Sequence, residues 1–563
     1  MKAKLIHFLQ QAGSRLQVAG APYKRYRAFD EAAHFLAHIE GDIENLALTG
    51  KLFRVLPVKG EVRRAIEDIL AGREPKISTE FSDRLSELSS LDGVPRRYLE
   101  KINRQLKIYA LKDLEDAYHT GELDRLDWLP PPIVKRIGRS LLPQEKPKRW
   151  TLGETLPVAR KLMGGLRGMV ASSLFDMTGR LRRCTEWVDG IFILAAPPEE
   201  EELHGAFQEL PGCSEVTRVG KNVSRGMAEG GIPIELRTCS KGAFVHLLQY
   251  HTGSPEHTKQ LRRLGKAKGF TLRQDRLNHE GKRLTLETEK ELYSAMGLQF
   301  IPPEIRRGRG EIELAQKACL PNLVKACHIE GDFHVHSDFS DGFSNLRQLA
   351  NQAEKANHSF IAICDHSRSL TCARGLTVDR LEKKRSIINK LNSENRAVHV
   401  FCGAEVDIMP DGRLDYDDHV LSQLDIVIAA VHQKLNCPKA QLTGRMMAAI
   451  DNPHVHILAH ASTRILGMRP GRDFDVDAVL TRCKERKVAL EINGHAHRMD
   501  PPLPIIERAI ELGVPLALGS DAHHTSQMWM IELALSQARR AGATPQNVMN
   551  TWSSEQLRQW LKK

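Results

Sequence analysis

The sequence predicts a multidomain α and α/β protein with a helical domain first, an α+β core next and a distorted (β/α)7 barrel last. Its 563 residues exceed what one hydrophobic core usually organises. Apolar residues recur at three- and four-residue spacing through about the first 142 positions, which is typical of helices. From residue 331, seven short apolar runs alternate with helical stretches, which is typical of a barrel.

Two Pro-containing segments set the expected domain limits. LLPQEKPKRW, residues 141–150, is a charged linker, and IPPEIRRGRGEIELA, residues 301–315, is a Pro- and Gly-rich connector. Between them, apolar runs such as GIFILAA and PIELRTC predict strands among helices. We therefore expect domains at 1–142, 150–315 and 331–563.

The predicted barrel strands end in side chains of the kind that bind metal ions. The runs are FHVH, FIAICDH, HVFCGAEV, DIVIAAVH, HILAHAS, VALEING and PLALGSDAH. Chemistry in such barrels collects at the carboxyl ends of the strands. Nine candidates lie at or just past these ends or in the first loop: His334, His336, Asp341, His366, Glu405, His432, His460, Asp521 and His523. A set of this size predicts a polynuclear metal site that catalyses hydrolysis.

The spacing of His334 and His336 supports a shared ion. Side chains two apart on a strand point to the same face, so both imidazoles can reach one cation. Imidazole with carboxylate is a ligand set for zinc, manganese or iron. A carboxylate such as Glu405 can bridge two ions. The residues alone leave these three metals open.

The net charge of +11 is concentrated in the front part of the chain. Residues 1–331 contain 53 Lys and Arg against 43 Asp and Glu, whereas residues 332–563 contain 28 against 27. A basic front half joined to a neutral, ligand-rich back half suggests that the front holds a polyanion. An ordinary solvated surface explains the same charge.

The cysteine pattern and the hydropathy of the sequence indicate in which cellular compartment we expect the protein. The ten cysteines include no C-x-x-C pair, which favours reduced structural thiols. No apolar run is long enough to span a bilayer, and the apolar part of MKAKLIHFLQQAGSRLQ is too short for a secretory signal. We expect a cytoplasmic protein without a membrane partner.

The blocks around the nine side chains resemble the PHP (polymerase and histidinol phosphatase) family of metal-dependent phosphoesterases, over about residues 331–540. H-x-H, S-D-G, D-H-S, G-A-E, A-x-x-H, L-x-H and S-D-A-H stand in the family's order. The resemblance implies three ions: one on His334, His336, Glu405 and Asp521, a second on Glu405, His432 and His460, and a third on Asp341, His366 and His523. It also implies that Arg464, Asn493 and Arg498 help hold substrate phosphate, with a structural salt bridge as the alternative.

The whole chain resembles the bacterial family X DNA polymerases, which carry a PHP domain after a polymerase core. YKRYRAFDEAA, HTGSPEHTKQLR and LETEKELYSAMGLQFIPPEIRRGRGEIELA carry this resemblance. That family holds two magnesium ions on aspartates, two of them two apart on one strand. Here those two positions fall on Gly190 and Phe192, Arg180 replaces a serine, and the third carboxylate is Glu235. Asp189 lies one residue early and, on a strand, would face the opposite side. We expect polymerase activity to be lost.

The helix-hairpin-helix elements of that family also depart from its pattern. Their G-x-G hairpins let backbone N–H groups approach DNA phosphate, and proline has no N–H to offer. The corresponding segments here are LPVKGEV, LDGVPRRYL and LPPPIVKRI, which keep one expected glycine. We expect weakened DNA binding in this domain.

These resemblances lead to a metal-dependent nuclease in DNA repair, a 3′-5′ exonuclease or an enzyme that processes 3′ ends, gaps or abasic sites. We expect it to bind two to three ions, with manganese as the predicted metal and zinc or iron as alternatives. Three alternatives stay open: a phosphatase or phosphodiesterase for a small or non-DNA substrate, a non-catalytic scaffold for DNA ends, and residual polymerisation through a rearranged carboxylate pair. The intact ligand set argues against the scaffold, whereas the altered hairpins and the lost polymerase carboxylates keep the small substrate open.

Overall fold

The computed structural model describes residues 149–170, 174–394 and 396–562 without a break. Before residue 149 it describes 52–55, 60–71, 96–106, 111–141 and isolated positions. The chain divides into two compact units, Met1–Pro147 and Lys148–Lys563. The three-domain division expected from sequence stays a prediction.

The described part of the first unit is helical. Its helices are α1 (Leu52–Val55), α2 (Gly60–Leu70), α3 (Arg96–Leu106), α4 (Leu111–His119) and α5 (Pro131–Leu141), with a 3₁₀ turn at Leu123–Arg125. Apolar side chains of α2, including Val62 and Ile66, are buried with Leu52, as the helical spacing predicts. YKRYR, the segment FSDRLSELSSL and about half of the first two hairpin segments lie outside the described residues. In the third, Pro131 and Pro132 are the first two residues of α5.

The second unit begins with an α+β region of five-stranded and smaller sheets. The strands are β1 (Trp150–Thr151), β2 (Leu174–Met177), β3 (Trp187–Val188), β4 (Ile191–Ala196), β5 (Cys213–Gly220), β6 (Val223–Ala228), β7 (Ile232–Thr238), β8 (Phe270–Leu272), β9 (Leu277–His279) and β10 (Lys282–Arg283). The order of the five-stranded sheet is β2-β4-β7-β6-β5. The helices are α6 (Leu152–Met169), α7 (Gly179–Arg182), α8 (Glu200–Gln208), α9 (Lys241–Thr252), α10 (Pro255–Ala267), α11 (Glu289–Ala295) and α12 (Glu311–Gln316).

The rest of the second unit is the predicted barrel. Its seven parallel strands are hydrogen-bonded in sequence order from β11 to β17. They are β11 (Gly331–Val335), β12 (Phe360–His366), β13 (His399–Asp407), β14 (Ile426–Ala430), β15 (Ile457–Leu458), β16 (Ala489–Asn493) and β17 (Leu516–Gly519). The helices are α13 (Leu346–Lys355), α14 (Val378–Asn392), α15 (Asp418–Leu421), α16 (Lys439–Ile450), α17 (Val476–Arg486), α18 (Leu503–Leu512), α19 (Ile531–Arg540) and α20 (Ser554–Leu561). Val335 pairs with Ala522, just past β17, which brings the first and last strands together.

The strands of this barrel are buried on both faces, because helices cover the outside and side chains fill the inside. This explains why β12 and β14 read as continuous apolar runs rather than alternating ones. The predicted distorted (β/α)7 barrel is confirmed, with β15 reduced to two residues. Among the described helices, none is long and apolar enough to cross a membrane.

Candidate metal centre

All nine predicted ligand side chains meet at the carboxyl end of the barrel. His334, His366 and Glu405 lie within β11, β12 and β13, and the others follow their strands by a few residues. Because the strands are parallel and adjacent, their carboxyl ends share one rim. His366 and Glu405 are even paired in register on neighbouring strands.

Glu405 is the centre of the cluster and is only 1% exposed. Its Oε1 lies 2.7 Å from Nε2 of His460 and 3.2 Å from Nε2 of His432. Its Oε2 lies 2.9 Å from Nδ1 of His366. The same oxygen lies 3.4 Å and 3.5 Å from the Nε2 atoms of His334 and His336. A single carboxylate thus faces five imidazoles, the position expected of a bridging ligand.

Three groups of potential ligand atoms lie close enough for a shared ion. They are His334, His336 and Asp521; His366, Glu405 and His432; and His336, Asp341, His366 and His523. His336 and His366 therefore each stand between two groups, whereas the family resemblance gave each to one ion. His460 contacts Glu405 beside the second group. The assignment of each side chain to an ion stays a prediction.

The buried polar atoms of this cluster fit metal ions. Several make no hydrogen bond, because even the close approaches to Glu405 lack the required angles: His336 Nδ1, His366 Nδ1, Glu405 Oε2, His432 Nε2 and His460 Nδ1. Unsatisfied buried polar atoms are costly, so their concentration here calls for a ligand. The Nε2 atoms of His334 and His336 lie 3.0 Å apart. A cation with bonds of about 2.1 Å separates its neighbouring ligand atoms by about 3.0–3.4 Å.

The charges of the cluster also suit a cation. Burial alone would raise the pKa of Glu405, but the His366 and His432 imidazoles hold it well below its usual range. Burial would likewise raise the pKa of Asp521, and His334 holds it well below its usual range. Burial and the neighbouring His523 and His366 lower the pKa of His336 to about 4. Ionised carboxylates bind metal directly. Burial alone would lower the pKa of His334 and His366, but neighbouring carboxylates raise it, Glu491 and Glu405 for His334 and Glu405 for His366, so these imidazoles release a proton when an ion binds.

Two further carboxylates orient the histidines, and sequence reasoning missed both. Glu491 Oε1 lies 2.6 Å from His334 Nδ1, and its Oε2 accepts a 2.6 Å hydrogen bond from the His460 backbone N–H. Asp407 Oδ1 lies 2.5 Å from His432 Nδ1. Such partners fix the tautomer and ring orientation of a ligating histidine. The available signal was spacing, because Asp407 follows Glu405 by two positions on β13.

Asp407→Asn should lower the turnover of a phosphodiester substrate about 10- to 100-fold, because the amide no longer holds His432 as a carboxylate does. Metal titration of the activity should show a weaker apparent affinity. Asp411→Asn, on the exposed loop after β13, is the matched control and should act as the wild type. Equal metal affinity and turnover in both variants would show that Asp407 does not orient the site.

A buried ion pair secures the loop that carries Asp341. Lys384 and Asp365 are fully buried and lie 2.8 Å apart, and the Lys384 ammonium also donates to the carbonyls of Ile363 and Gly403. Asp365 in turn accepts from the backbone N–H and hydroxyl of Ser337. The Asp365 carboxylate therefore connects the end of β12 to the loop after β11.

Lys384→Met should lower the free energy of unfolding by about 3–5 kcal/mol, since it leaves the Asp365 carboxylate buried without its cation. The adjacent Lys383 is exposed, so Lys383→Met is the control and should change stability little. Denaturant unfolding of the two variants, followed side by side, measures the difference. A Lys384→Met protein as stable as the control would show that the pair contributes no net stability.

The three residues proposed to hold phosphate lie in different environments. Arg498 Nε is 3.4 Å from Asp521 Oδ2, and the side chain is 23% exposed at the cluster. Asn493 is fully buried, and its amide donates to Asp521 at 3.1 Å. Arg464 instead pairs with Glu186 at 2.7 Å, and its guanidinium also donates to the carbonyls of Arg498 and Met499. The salt-bridge alternative thus describes the observed contacts of Arg464.

An open cavity of about 310 Å³ gives access to the cluster. Arg498 and several of the potential metal ligands form much of its lining, and Leu370, Cys372 and Ala373 add an apolar wall. A cavity that combines a cationic side chain with metal-binding groups suits an anionic substrate.

The polymerase-like region has a larger cleft of about 750 Å³, but its carboxylates do not form a metal site. Glu235 Oε2 accepts from Arg225 at 2.9 Å, and its Oε1 accepts from Arg237 at 2.8 Å. Asp189 lies 3.3 Å from both Arg149 and Arg180. Arginines therefore take the place of metal cations on Glu235 and Asp189, and Glu256 is the third carboxylate of the lining. Within the described residues, no group of three potential metal ligands lies in this cleft.

The prediction that Asp189 faces away from the cleft is wrong. Asp189 lines the cleft together with Phe192 and Glu235. Strand alternation does not apply to it, because it lies in a bend between β3 and β4 rather than within a strand. Gly190 has a φ of +155°, and a Cβ there would lie 2.6 Å from the Pro233 carbonyl oxygen.

Comparison with known proteins agrees with the division of the second unit into a polymerase-like region and a barrel that resembles PHP domains. The family model for the PHP domain matches residues 332–500, and the model for the DNA polymerase beta thumb matches residues 247–307. A "DNA polymerase/3'-5' exonuclease PolX" from Bacillus subtilis is 29% identical over 571 residues, covering 100% of this chain and 99% of the relative. The chain is PolX-like and carries a PHP domain.

Shorter relatives match less of the PolX-like chain. A probable phosphatase from Thermoanaerobacter sp. is 29% identical over 242 residues, which covers 41% of this chain and 94% of the relative. A probable phosphatase from Syntrophotalea carbinolica is 25% identical over 238 residues, covering 40% of this chain and 94% of the relative. The PHP domain and these relatives support a phosphoesterase.

Proposed function

We propose that the chain is a metal-dependent phosphoesterase that hydrolyses phosphodiester bonds of DNA, as a 3′-5′ exonuclease or as a nuclease that processes 3′ ends, gaps or abasic sites. The convergence of five imidazoles on the buried Glu405 carboxylate carries this proposal. The name of the full-length Bacillus subtilis relative supports the choice of DNA 3′ ends.

Nitrogen and carboxylate ligands without a thiolate support manganese as the metal, with zinc or iron as alternatives. His334, His336, Glu405 and Asp521 would hold one ion, Glu405, His432 and His460 a second, and Asp341, His366 and His523 a third. Bound divalent cations supply Lewis-acid stabilisation of phosphoryl charge and activate water at neutral pH. The chain's own residues would bind the substrate phosphate and orient the metal ligands.

Arg498 would bind the substrate phosphate, because its guanidinium is partly exposed beside Asp521 in the cavity. Asn493 would act as a positioning residue, since its amide holds both Asp521 and Glu491. Glu491 and Asp407 keep the His334 and His432 rings oriented. Arg464 is assigned a structural role through Glu186.

The basic front half would hold the phosphate backbone outside the metal centre. Residues 1–331 have ten more basic than acidic residues, from 53 against 43. Nucleic-acid binding of this kind weakens steeply with added salt, because phosphate contacts release counterions. Measuring DNA affinity at several salt concentrations tests this part of the proposal separately from catalysis.

The proposal is tested with purified protein, manganese and 3′-recessed, nicked and abasic DNA. The wild type should release nucleotides or cleave at the 3′ site. His336→Ala should lose turnover by about 100-fold, because His336 contributes to two of the three ligand groups. Equal rates in the wild type and the variant would point to a contaminating nuclease.

A phosphatase or phosphodiesterase for a small substrate is the second candidate. The probable phosphatases, which match 40–41% of this chain, support it, and so do the two prolines that begin α5. A small phosphate ester cleaved much faster than any DNA would favour this candidate. The intact ligand set argues against a third candidate, a non-catalytic scaffold for DNA ends.

A further inference from the structure

The polymerase-like region and the PHP domain meet at the loop that carries Arg498. This loop, His495–Asp500, follows β16 and lies against both parts. Met499 is fully buried among side chains of the polymerase-like region, including Leu152 and Val188. A Cβ on Gly153, near the start of α6, would lie 2.4 Å from the Ala496 side chain. The loop therefore has no room to move towards α6.

A charged contact also fixes the same loop. Glu186 lies next to β3, and its two oxygens accept from the Arg464 guanidinium at 2.7 Å and 3.2 Å. That guanidinium also donates to the Arg498 carbonyl at 3.1 Å and to the Met499 carbonyl. Arg464 is only 7% exposed, so its position depends on these partners.

From this loop the contacts continue into the metal centre. The Leu466 backbone N–H donates to the His497 carbonyl at 2.7 Å. The Arg498 side chain then extends to Asp521, where Nε lies 3.4 Å from the carboxylate. One continuous series of contacts thus runs from Glu186 through Arg464 and the loop to Arg498 and Asp521.

We propose that Glu186 is a positioning residue for the phosphoesterase reaction and that it acts through Arg464 on Arg498. The polymerase-like region, whose own carboxylates bind arginines, then serves to hold the phosphate-binding arginine of the PHP domain in place. This inference rests on the proposed phosphoesterase function. It adds a role for a residue that lies outside the barrel and contacts none of the potential metal ligands within the described contacts.

Hydrogen bonds that do not involve the Glu186 side chain hold the backbone around Glu186. The Thr185 hydroxyl donates to the Trp187 carbonyl at 2.7 Å, which fixes the turn before β3. Gln537 and Arg540 of α19 donate to the carbonyls of Cys184 and Arg183 at 3.1 Å and 2.7 Å. The backbone next to Glu186 is therefore bonded to the PHP domain independently of the Glu186 carboxylate, so loss of that carboxylate alone should leave the two parts docked.

The test uses Glu186→Gln in the full chain, with Glu304→Gln as the matched control. Glu304 forms a similarly buried ion pair across the same two parts, with Arg539 Nε at 2.8 Å. Arg539 does not line the metal-site cavity. Glu186→Gln should lower kcat for a phosphodiester about 10-fold and raise KM, because a small displacement of a phosphate-binding group costs rate steeply. Glu304→Gln should keep wild-type kinetics, and bound metal should be the same in both.

A double-mutant cycle separates positioning from stability. If Glu186 acts through Arg498, Glu186→Gln should have little further effect in the Arg498→Ala background. Additive losses, or a loss in Glu186→Gln that Glu304→Gln shares, would overturn the proposal, as would wild-type kinetics in Glu186→Gln. A wild-type chain that hydrolyses no phosphodiester would instead contradict the proposed function itself.

Discussion

Glu405→Gln should reduce phosphodiester hydrolysis by at least about 100-fold and lower the bound metal, although the side chain keeps its shape. The carboxylate faces five imidazoles, and the amide can offer only one oxygen acceptor to them. Its loss removes the carboxylate that contacts at least one histidine of each of the three ligand groups. Elemental analysis and kcat on a chromogenic phosphodiester measure both effects.

Glu382→Gln is the control for this variant, because Glu382 is exposed on α14. It should bind metal and turn over as the wild type does. If Glu405→Gln retained full metal content and rate, Glu405 would not be a bridging ligand. A different side chain would then have to connect the three groups of potential metal ligands.

Primer extension by the wild-type chain should be undetectable with any dNTP in magnesium or manganese. Nucleotidyl transfer requires carboxylates that hold two ions, and here Glu235 and Asp189 each bind two arginines. Gly190→Asp with Phe192→Asp restores the two missing carboxylates in sequence. This double variant should still not extend a primer, because a Cβ at position 190 would lie 2.6 Å from the Pro233 carbonyl oxygen.

The measurement is extension of a labelled primer on a gapped template, at high enzyme concentration. Phe192→Asp alone is the matched control, since it adds a carboxylate without the clash at Gly190. Template-dependent extension by the wild type, abolished by Asp189→Ala, would show that Asp189 and Glu235 release their arginines and hold magnesium.

The barrel and its nine-residue rim could be predicted from sequence because both depend on local patterns. Parallel strands bring their ends together whatever the details of packing, so side chains such as His366 and Asp521 had to converge. The role of Glu491 depends on which side chain faces it across the barrel, and His334 is 157 residues away. No local pattern contains that information.

The contacts of the polymerase-like region were harder to predict for the same reason. Arg464 lies in a block that resembles the PHP family, yet its guanidinium is held by Glu186, which is 278 residues away. The orientation of Asp189 was predicted from strand alternation, which fails in the bend before β4. Both differences come from tertiary packing between segments that are distant in sequence.

The central claim is that the barrel-rim cluster hydrolyses DNA from 3′ ends, and end-labelled DNA tests it most directly. With manganese, a 5′-labelled strand should shorten progressively and a 3′-labelled strand should release labelled mononucleotide first. Chelation should stop both, and readdition of manganese should restore them. Release of label from the 5′ end first, or the same products from Glu405→Gln, would contradict the claim.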